Sequence, residues 1–262
     1  MNVGLIGAGH IARALAEGWH RYGEGAPPAL SFYDVMPERA ADLAALVHGR
    51  THASATDLVA GADVVVIAVR PQHVRDVQAQ IAPVLGSRLL VSVAAGVTVA
   101  SLRATLPAGS RVARVMPNGA AALGLGVFLL VAGSMSADDQ KVLTALLSRA
   151  GTVFPLDEGL FDTATAVSGC MPGLLGAIVT HFADAAERGG VPAADARALA
   201  VQSVHGAAAV IAREGDPVAV VTATATPGGM TAAGIDALEA RGVAQAIAAA
   251  VDAAARRAKE LA

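Results

Sequence analysis

The chain has 262 residues and a formal net charge of −3, which suits one large domain or two modest domains with an ample apolar core. Only 3% of the residues are aromatic, so neither the charge nor the supply of stacking side chains favours nucleic-acid binding. The single cysteine, Cys170, excludes an internal disulfide framework and a cysteine-rich zinc site.

The composition also predicts a soluble, cytoplasmic protein that does not cross a membrane. The longest apolar runs, 62–69 and 123–133, are shorter than the roughly 20 residues that span a bilayer, and no signal peptide precedes the first predicted strand. Mean hydropathy is nevertheless high at +0.54, mostly because of alanine, and this predicts an extensive interface between subunits.

Short apolar runs alternate with helical patterns from the N-terminus to about residue 155, which predicts a mainly parallel, doubly wound sheet. The predicted strands are Asn2–Ile6, Leu30–Tyr33, Val64–Val69, Leu89–Val93, Arg111–Met116, Val127–Val131 and Val153–Pro155. Helical patterns fall between them, for example Ile11–Arg21, Pro37–Val47 and Val74–Leu85. From Gly159 onward the strand patterns disappear, and long helices are predicted over 160–187, 193–213 and 231–260.

A glycine motif directly follows the first predicted strand and begins the first helix. Its residues are Gly7, Ala8, Gly9, His10, Ile11 and Ala12, in the pattern G-x-G-x-x-A. The first glycine permits a tight turn, the second lets the backbone approach a pyrophosphate, and the small last residue lets helix and strand pack closely. The helix N-terminus then favours the anion, so we predict dinucleotide binding, with His10 facing the phosphates.

Asp34 ends the second predicted strand, where an acidic side chain can accept hydrogen bonds from the ribose hydroxyls of NAD. The same carboxylate would repel the 2′-phosphate of NADP, although Arg39 lies close enough in sequence to offset that repulsion. The cofactor is therefore NADH or NADPH, with NADH slightly favoured. An alternative interpretation is that Asp34 caps the helix that begins near Pro37.

Three further loops follow predicted strands and reach the same carboxyl-terminal edge of the sheet, where ligands of doubly wound sheets bind. Each loop taken alone is equally compatible with ordinary loop chemistry, but together they outline a nicotinamide cleft. The residues predicted to contact the cofactor there are Ala68, Val69, Arg70 and Pro71, then Ala94, Ala95 and Gly96, and finally Asn118.

Strong acid–base groups are scarce in the chain. The two lysines are Lys141 and Lys259, so no lysine occurs between residues 142 and 258. His181 and His205 fall within predicted apolar helices and are interpreted as core or interface residues, and the remaining histidines show no metal-ligand spacing. A reductase without such a group suits a substrate that already carries its proton, such as a cyclic iminium ion.

These motifs together resemble the pyrroline-5-carboxylate reductase family over essentially the whole chain. The resemblance rests on "IGAGHIARAL", "AVRPQ", "SVAAGV", "RVMPN", "TAVSGCMPG", "ADAAERGGVP" and "TPGGMTAAGIDALEARGVAQAI", in that order. It implies a Rossmann domain over 1–157 and an all-helical substrate and dimerisation domain over 158–262. It also implies a homodimer formed through the helical domain, with the option of a higher oligomer.

The resemblance assigns roles to a Pro-Gly-Gly turn in the second domain. The family pattern Ser-Pro-Gly-Gly-x-Thr corresponds here to Thr226, Pro227, Gly228, Gly229, Met230 and Thr231. It implies that the backbone N–H groups of Gly228 and Gly229 bind the substrate carboxylate, and that Thr231, with Thr226, takes part in catalysis. The alternative is a helix stop followed by a new helix, with no ligand.

The departures from the family are concentrated at the predicted substrate pocket. Ser168 is retained, but Cys170 and Met171 stand where the family has small polar residues, and Leu174 replaces a tyrosine. Gly119 and Ala120 replace Thr and Pro after Asn118. Ser168, Cys170 and Met230 are predicted to contact substrate, and we interpret Cys170 as a packing residue rather than a nucleophile.

The expected activity is hydride transfer from NAD(P)H to the C=N carbon of 1-pyrroline-5-carboxylate, which gives proline. The altered pocket leaves open a related reductase for a different cyclic imine. A catalytically silent dinucleotide-binding protein is the third interpretation, against which the retained Thr226–Thr231 segment argues.

Overall fold

The computed structural model describes residues 1–131 and 135–260. The chain divides into two compact units, one of Met1–Gly169 with Ala253–Ala262 and one of Cys170–Asp252. The predicted domain boundary at 157/158 differs from the division between these units, and it stays a prediction. The apolar run 123–133 that the sequence analysis named ends outside the described part of the chain.

The first unit is built on an eight-stranded sheet in the order β3-β2-β1-β4-β5-β6-β7-β8. Its strands are β1 (Asn2–Ile6), β2 (Ala29–Tyr33), β3 (Arg50–Thr51), β4 (Val64–Ile67), β5 (Leu89–Ser92), β6 (Arg111–Pro117), β7 (Gly126–Val131) and β8 (Gly151–Leu156). All neighbouring strands are parallel except β6 and β7. The predicted mainly parallel, doubly wound sheet is thus confirmed, and the two-residue β3 is the strand that the sequence patterns did not predict.

Helices cover both faces of this sheet. They are α1 (His10–Arg21), α2 (Pro37–Val47), α3 (Ala55–Ala60), α4 (Val74–Leu85), α5 (Val99–Ala104), α6 (Ala137–Ser148) and α7 (Phe161–Ser168). One apolar core joins α1, α2 and α6 to the sheet, and a second joins α3, α4 and α5 to its other face. Buried Trp19 and Phe32 are among the largest side chains of the first core. Because both faces are covered, the central strands read as continuous apolar runs.

The second unit is entirely helical among its described residues. Its helices are α8 (Met171–Arg188), α9 (Ala193–Glu214), α10 (Pro217–Thr224), α11 (Met230–Ala240) and α12 (Val243–Glu260), the last of which ends in the first unit's share of the chain. Only Ala196 and Ala200 are buried within these five helices. Their apolar side chains therefore remain largely exposed in the single chain.

Two of the three predicted long helices differ from those observed, and one further helix was not predicted. The segment 160–187 is broken between α7 and α8, because Pro172 lies in the first turn of α8 and has no N–H to continue a helix. The segment 231–260 is broken at Gly242, whose φ of 73° ends α11 in a left-handed conformation. Helix α10 was not predicted, although Asp216 caps it by accepting a hydrogen bond from Val218 N at 2.9 Å.

The helical stretch Glu158–Arg188, which contains α7 and α8, is long and apolar enough by length and composition to cross a membrane. The mean hydropathy of its 18-residue window is 1.4. The expectation that every apolar run is too short is therefore not met by this segment. A single such segment is weak evidence for a span, because apolar helices that pack against other protein pass the same test.

Candidate active site

The glycine loop between β1 and α1 has the backbone geometry that the motif predicted. Gly7 has a φ of 98°, and a Cβ at this position would lie 2.7 Å from the carbonyl oxygen of Ala68 at the end of β4. Any larger residue would therefore both strain the backbone and collide with the neighbouring strand. A Cβ at Gly9, in contrast, would have nothing within 4 Å. Open space above Gly9 is what a close approach by a pyrophosphate requires.

Helix α1 begins at this loop with unsatisfied donors. Gly9 is its N-cap and provides no capping side chain, and among the described residues the N–H groups of His10, Ile11 and Ala12 have no hydrogen-bond acceptor. A cavity of about 390 Å³ adjoins the loop and is lined by Ala8, Gly9, His10, Arg13, Arg39, Asp42 and Leu43. Free N–H groups at the positive end of a helix, beside a cavity, fit the pyrophosphate of a dinucleotide.

Asp34 connects the end of β2 to the glycine loop. Its Oδ2 accepts a hydrogen bond from Ala8 N at 2.7 Å, and its Oδ1 accepts one from Met36 N at 2.9 Å. Met36 is itself the N-cap of α2 and has no capping side chain, so Asp34 does not cap that helix. Each carboxylate oxygen keeps a lone pair for a ribose hydroxyl, while its position next to Ala8 fixes a negative charge beside the loop.

Both positively and negatively charged side chains lie around this cavity. Arg13 forms an ion pair with Glu17 at 2.8 Å, whereas the exposed guanidinium of Arg39 has no ion pair or hydrogen bond within the described chain. Asp34 and Asp42 contribute negative charge at the same place. The carboxylates therefore balance or exceed the free positive charge available to a 2′-phosphate.

The loops after β4 and β5 lie at the same edge of the sheet as the glycine loop. Strand β1 pairs with β4 and β4 with β5, all in parallel, so their carboxyl ends are adjacent. This is the point where the strand order reverses, which is the usual ligand site of such sheets. The first loop carries the half-buried Ala68, Val69 and Pro71 with the exposed Arg70. The second loop carries Ala94, Ala95 and Gly96, of which Gly96 has a φ of 74°.

His10 and Gly119 approach each other across this edge. A Cβ at Gly119 would lie 3.2 Å from His10 Nε2, so the imidazole occupies space that a larger residue at 119 would contest. The replacement of Thr by Gly at this position of the family pattern is thus linked to the histidine of the glycine loop. The prediction that His10 faces the phosphates stays a prediction.

Asn118, at the end of β6, has its side-chain amide engaged by the protein. The residue is 7% exposed. Its Nδ2 donates to the carbonyl oxygen of Ser168 at 3.0 Å, and its Oδ1 accepts from Val127 N at 3.2 Å. The amide therefore joins the end of α7 to β6 and β7. Direct contact between Asn118 and a cofactor remains a prediction, for which one Nδ2 hydrogen is available.

A buried ionic cluster on β6 was missed by the sequence analysis. Arg114 is 4% exposed, and its Nη1 donates to Glu158 Oε1 at 2.9 Å. Its Nη2 lies 3.6 Å from Asp162 Oδ1, and its guanidinium carbon lies 4.3 Å from the centroid of the Phe161 ring. An arginine within an apolar strand was the available signal, because a buried charge requires a partner.

The Pro-Gly-Gly segment of the second unit forms a tight turn that leads into α11. Gly229 N donates to the carbonyl oxygen of Thr226 at 2.9 Å, and Gly228 has a φ of 72°, as in a type II turn with Pro227 at its second position. A Cβ at Gly229 would lie 2.5 Å from Thr226 Oγ1. Each glycine is therefore required for a different reason, one by backbone conformation and one by space.

Helix α11 begins at this turn without a capping side chain, as α1 does at the glycine loop. Gly229 is its N-cap, and in the described chain the N–H groups of Met230, Thr231 and Ala232 have no acceptor. Thr231 is exposed, and Met230 is 94% exposed. The turn can therefore offer several N–H donors and one hydroxyl to an anionic ligand.

The two remaining predicted substrate residues lie where α7 gives way to α8. Ser168 Oγ donates to the carbonyl oxygen of Ala164 at 2.9 Å, so this hydroxyl is engaged within α7. Cys170 is the half-buried N-cap of α8 and makes no side-chain capping bond. The described residues contain no cluster of three or more His, Cys, Asp or Glu side chains able to hold a metal ion.

Known proteins are similar in sequence to this chain over almost its whole length. Residues 158–261 match the family described as pyrroline-5-carboxylate reductase dimerisation, and residues 2–96 match the family described as NADP oxidoreductase coenzyme F420-dependent. The pyrroline-5-carboxylate reductase of Mycobacterium leprae is 35% identical over 99% of this chain and 96% of its own length. That of Pisum sativum is 34% identical over 99% of this chain and 95% of its own length.

Solved structures agree with these sequence matches. A pyrroline-5-carboxylate reductase from Coxiella burnetii is 27% identical, with a TM-score of 0.90 over 100% of this chain and 98% of that chain. A Plasmodium falciparum pyrroline carboxylate reductase with NADP bound is 25% identical, with a TM-score of 0.85 over 100% of this chain and 98% of that chain. The predicted Rossmann domain and helical region are confirmed, and the chain belongs to the pyrroline-5-carboxylate reductase family.

Proposed function

We propose that this protein reduces 1-pyrroline-5-carboxylate to proline with NADH or NADPH. The observation that carries the proposal is full-length membership of the family, together with an uncapped helix N-terminus at each of two retained motifs. The α1 terminus is assigned to the pyrophosphate of the coenzyme and the α11 terminus to the carboxylate of the imine.

The coenzyme supplies a hydride, which adds to the C=N carbon of the imine. The chain's own contribution at this end of the site is placement. Gly9 leaves room for the phosphates, the free N–H groups of α1 bind them, and Asp34 holds the adenosine ribose. We favour NADH because the fixed carboxylate of Asp34 lies beside the loop where a 2′-phosphate would add negative charge.

The substrate end of the site works by anchoring and by hydrogen bonding. The resemblance assigned the carboxylate of the imine to the N–H groups of Gly228 and Gly229, but Gly229 N already donates to the carbonyl oxygen of Thr226. We therefore assign the carboxylate to the free N–H groups at the start of α11, those of Met230, Thr231 and Ala232. The Thr231 hydroxyl is assigned to the ring nitrogen, with Thr226 supporting the turn through its carbonyl oxygen, which accepts from Gly229 N. Binding of this kind lowers the barrier by orientation and electrostatics rather than by covalent chemistry.

No strong acid is required in this mechanism, because the reacting nitrogen carries its own proton. Solvent protonates the imine, the hydride then adds to the carbon of the iminium ion, and the product is a secondary amine. The absence of lysine between residues 142 and 258 is consistent with this route and argues against a hydroxy-acid dehydrogenase mechanism.

We also propose that the enzyme acts as a homodimer through its helical domain, in the cytoplasm. Support for the dimer comes from the match of residues 158–261 to a dimerisation family. Further support comes from exposed apolar residues on α8, such as Ile178 and Phe182, and on α9, such as Leu199. A reducing compartment is consistent with the sequence, because Cys170 is its single cysteine and cannot form a disulfide bond within the chain.

The experiment that tests the proposed function is oxidation of NADH and of NADPH, followed by absorbance, with 1-pyrroline-5-carboxylate and with its six-membered homologue. We expect turnover of the five-membered imine, and a higher kcat/KM for NADH. Proline should accumulate in equal amount to the oxidised coenzyme.

A different cyclic imine is the second candidate, favoured by the altered residues Gly119, Cys170 and Leu174. Selective turnover of the six-membered imine would replace the five-membered substrate in our proposal. Coenzyme binding without turnover of any cyclic imine would show a silent dinucleotide-binding protein and contradict the reductase assignment.

A further inference from the structure

We propose that Arg114 and Asn118 are positioning residues that hold α7 along β6, and thereby fix Ser168 beside the carboxyl edge of the sheet. The inference deepens the proposed reductase function and rests on it for its kinetic consequence. It assigns a role to a buried cation that the mechanism above does not use, and it gives Asn118 a role other than that of a cofactor ligand.

The contacts described between β6 and α7 come from one face of β6. Side chains alternate along a strand, so Arg114, Met116 and Asn118 point to the same side. Met116 packs against the apolar cluster that contains Phe161 of α7, and its Cε would lie 3.8 Å from a Cβ at Gly169. Arg114 and Asn118, which make the polar contacts to α7 and its preceding turn, thus lie on either side of Met116, which makes an apolar contact.

Arg114 fixes the start of α7. Its guanidinium pairs with Glu158 and lies close to Asp162 and over the ring of Phe161, which is 1% exposed. Glu158 Oε1 also accepts a hydrogen bond from Val99 N at 2.9 Å, at the beginning of α5. The same carboxylate therefore links β6 to the end of the loop that carries Ala94, Ala95 and Gly96.

Asn118 fixes the end of α7. The bond from its Nδ2 to the carbonyl oxygen of Ser168 spans 50 residues of sequence, and its Oδ1 is held by Val127 N of β7. Because both ends of the amide are engaged and the residue is 7% exposed, its orientation is determined by the scaffold. Ser168, a predicted substrate residue, is then placed next to the strand end where the nicotinamide is expected.

The test compares two substitutions that turn a buried amide into a carboxylate. Asn118→Asp keeps an acceptor for Val127 N but cannot donate to Ser168. Gln78→Glu is the matched control, because Gln78 is 2% exposed and its Nε2 donates to the carbonyl oxygen of Leu102 at 2.9 Å, away from α7. Thermal stability, kcat, KM for the imine, coenzyme Kd and amide hydrogen exchange of the coenzyme-free protein are measured for each.

We expect both variants to melt at lower temperature, because each buries a carboxylate and removes the amide hydrogen bond to a carbonyl oxygen. Only Asn118→Asp should lower kcat/KM for the imine, by about tenfold or more, since a small misplacement of a site costs that much. The coenzyme Kd of Asn118→Asp should be unchanged. Hydrogen exchange over 161–169 should accelerate in Asn118→Asp but not in Gln78→Glu. Arg114→Lys, which cannot pair with both carboxylates and stack on Phe161, should act in the same direction.

Kinetic losses equal in Asn118→Asp and Gln78→Glu would overturn the inference, because they would reflect stability alone. A weakened coenzyme Kd that parallels the loss of kcat would overturn it in favour of a cofactor ligand. If Asn118→Asp does not fold, Arg114→Lys decides by the same measurements. A wild-type protein that does not reduce the imine would refute the proposed function, and the exchange of 161–169 would then still support or refute the positioning role.

Discussion

The Thr231 hydroxyl is exposed at the start of α11 and can donate a hydrogen bond to a substrate atom. Its neighbour Met230 is 94% exposed but apolar, and the donors around both are backbone N–H groups. At the scale of single residues, the proposed hydrogen bond to the reacting nitrogen therefore comes from the Thr231 hydroxyl.

Replacing that hydroxyl separates catalysis from coenzyme binding. We expect Thr231→Ala to lower kcat by about tenfold or more, because a hydrogen bond near the reacting nitrogen is lost, while coenzyme Kd is unchanged. Thr222→Ala is the control, since the Thr222 hydroxyl donates to the carbonyl oxygen of Val218 within α10. Full activity of Thr231→Ala in a steady-state assay would remove this residue from the mechanism.

At the scale of elements, the turn before α11 needs two glycines for two reasons. Gly228 adopts a φ of 72°, and Gly229 leaves space for Thr226 Oγ1. The turn thereby ends in a helix N-terminus whose N–H groups are free of capping side chains. The proposed carboxylate binding therefore depends on the backbone conformation of this turn.

A glycine substitution elsewhere provides a comparison for this turn. Gly109 has a φ of 82° and, like Gly228, no atom within 4 Å of its Cβ position. We expect Gly228→Ala and Gly109→Ala each to lose about 1 kcal/mol of unfolding free energy through left-handed strain. Only Gly228→Ala should raise KM for the imine. Equal kinetic parameters in both variants, measured after denaturant titrations confirm folding, would contradict carboxylate binding at this turn.

Helix α6 is attached to the sheet by an ion pair that gives a pH-dependent stability. Asp139 is 5% exposed and pairs with Arg111 at the start of β6, while Ser136 caps the helix by accepting from Asp139 N. Burial raises the pKa of Asp139, but hydrogen bonds from Arg111 and Ser136 outweigh it and hold the pKa below 3.8. A lowered folded-state pKa stabilises the protein above the unfolded value and less as pH falls.

We expect Asp139→Asn to lose about 2 kcal/mol of unfolding free energy near neutral pH, because a charge-assisted pair is broken. The difference from wild type should shrink as pH falls below the ordinary aspartate pKa and through the lowered folded-state pKa of Asp139, where the wild-type carboxylate becomes protonated. Asp138→Asn is the control, since Asp138 is 92% exposed. A difference that stays constant across the pH range in urea titrations would show that Asp139 stabilises α6 without its charge.

At the scale of the whole molecule, the helical region is incomplete as a single chain. Helices α8, α10, α11 and α12 contain no buried residue within the described chain, and Phe182 on α8 is 57% exposed. A second copy would cover such a surface, as the dimerisation family match suggests. The high mean hydropathy has the same explanation.

The dimer proposal predicts a change of mass on adding charge to that surface. We expect light scattering to give a dimer for the wild type and a larger monomer fraction for Phe182→Glu, because a carboxylate would be buried without a partner. Val142→Glu, on α6 of the first unit, alters a residue that is 45% exposed and should leave the dimer intact. A monomeric wild-type protein would contradict the proposal.

The sequence by itself determined the sheet strands other than β3, the glycine loop and the Pro-Gly-Gly turn, because these depend on periodicity and on backbone conformations encoded locally by glycine and proline. It overestimated the length of two helices, since Pro172 and Gly242 interrupt apolar patterns that continue past them. It missed α10, whose Asp216 and Pro217 are an N-terminal signal followed by residues common in strands.

Only the tertiary structure decided which polar groups meet. Asp34 binds Ala8 N across 26 residues, Arg114 meets Glu158 across 44, and Asn118 meets Ser168 across 50. No local pattern specifies such partners, because they depend on strand order and on which face of a strand a helix covers. The sequence thus predicted a coenzyme-binding loop and a carboxylate-binding turn, and the fold decided which polar groups hold α7 against β6.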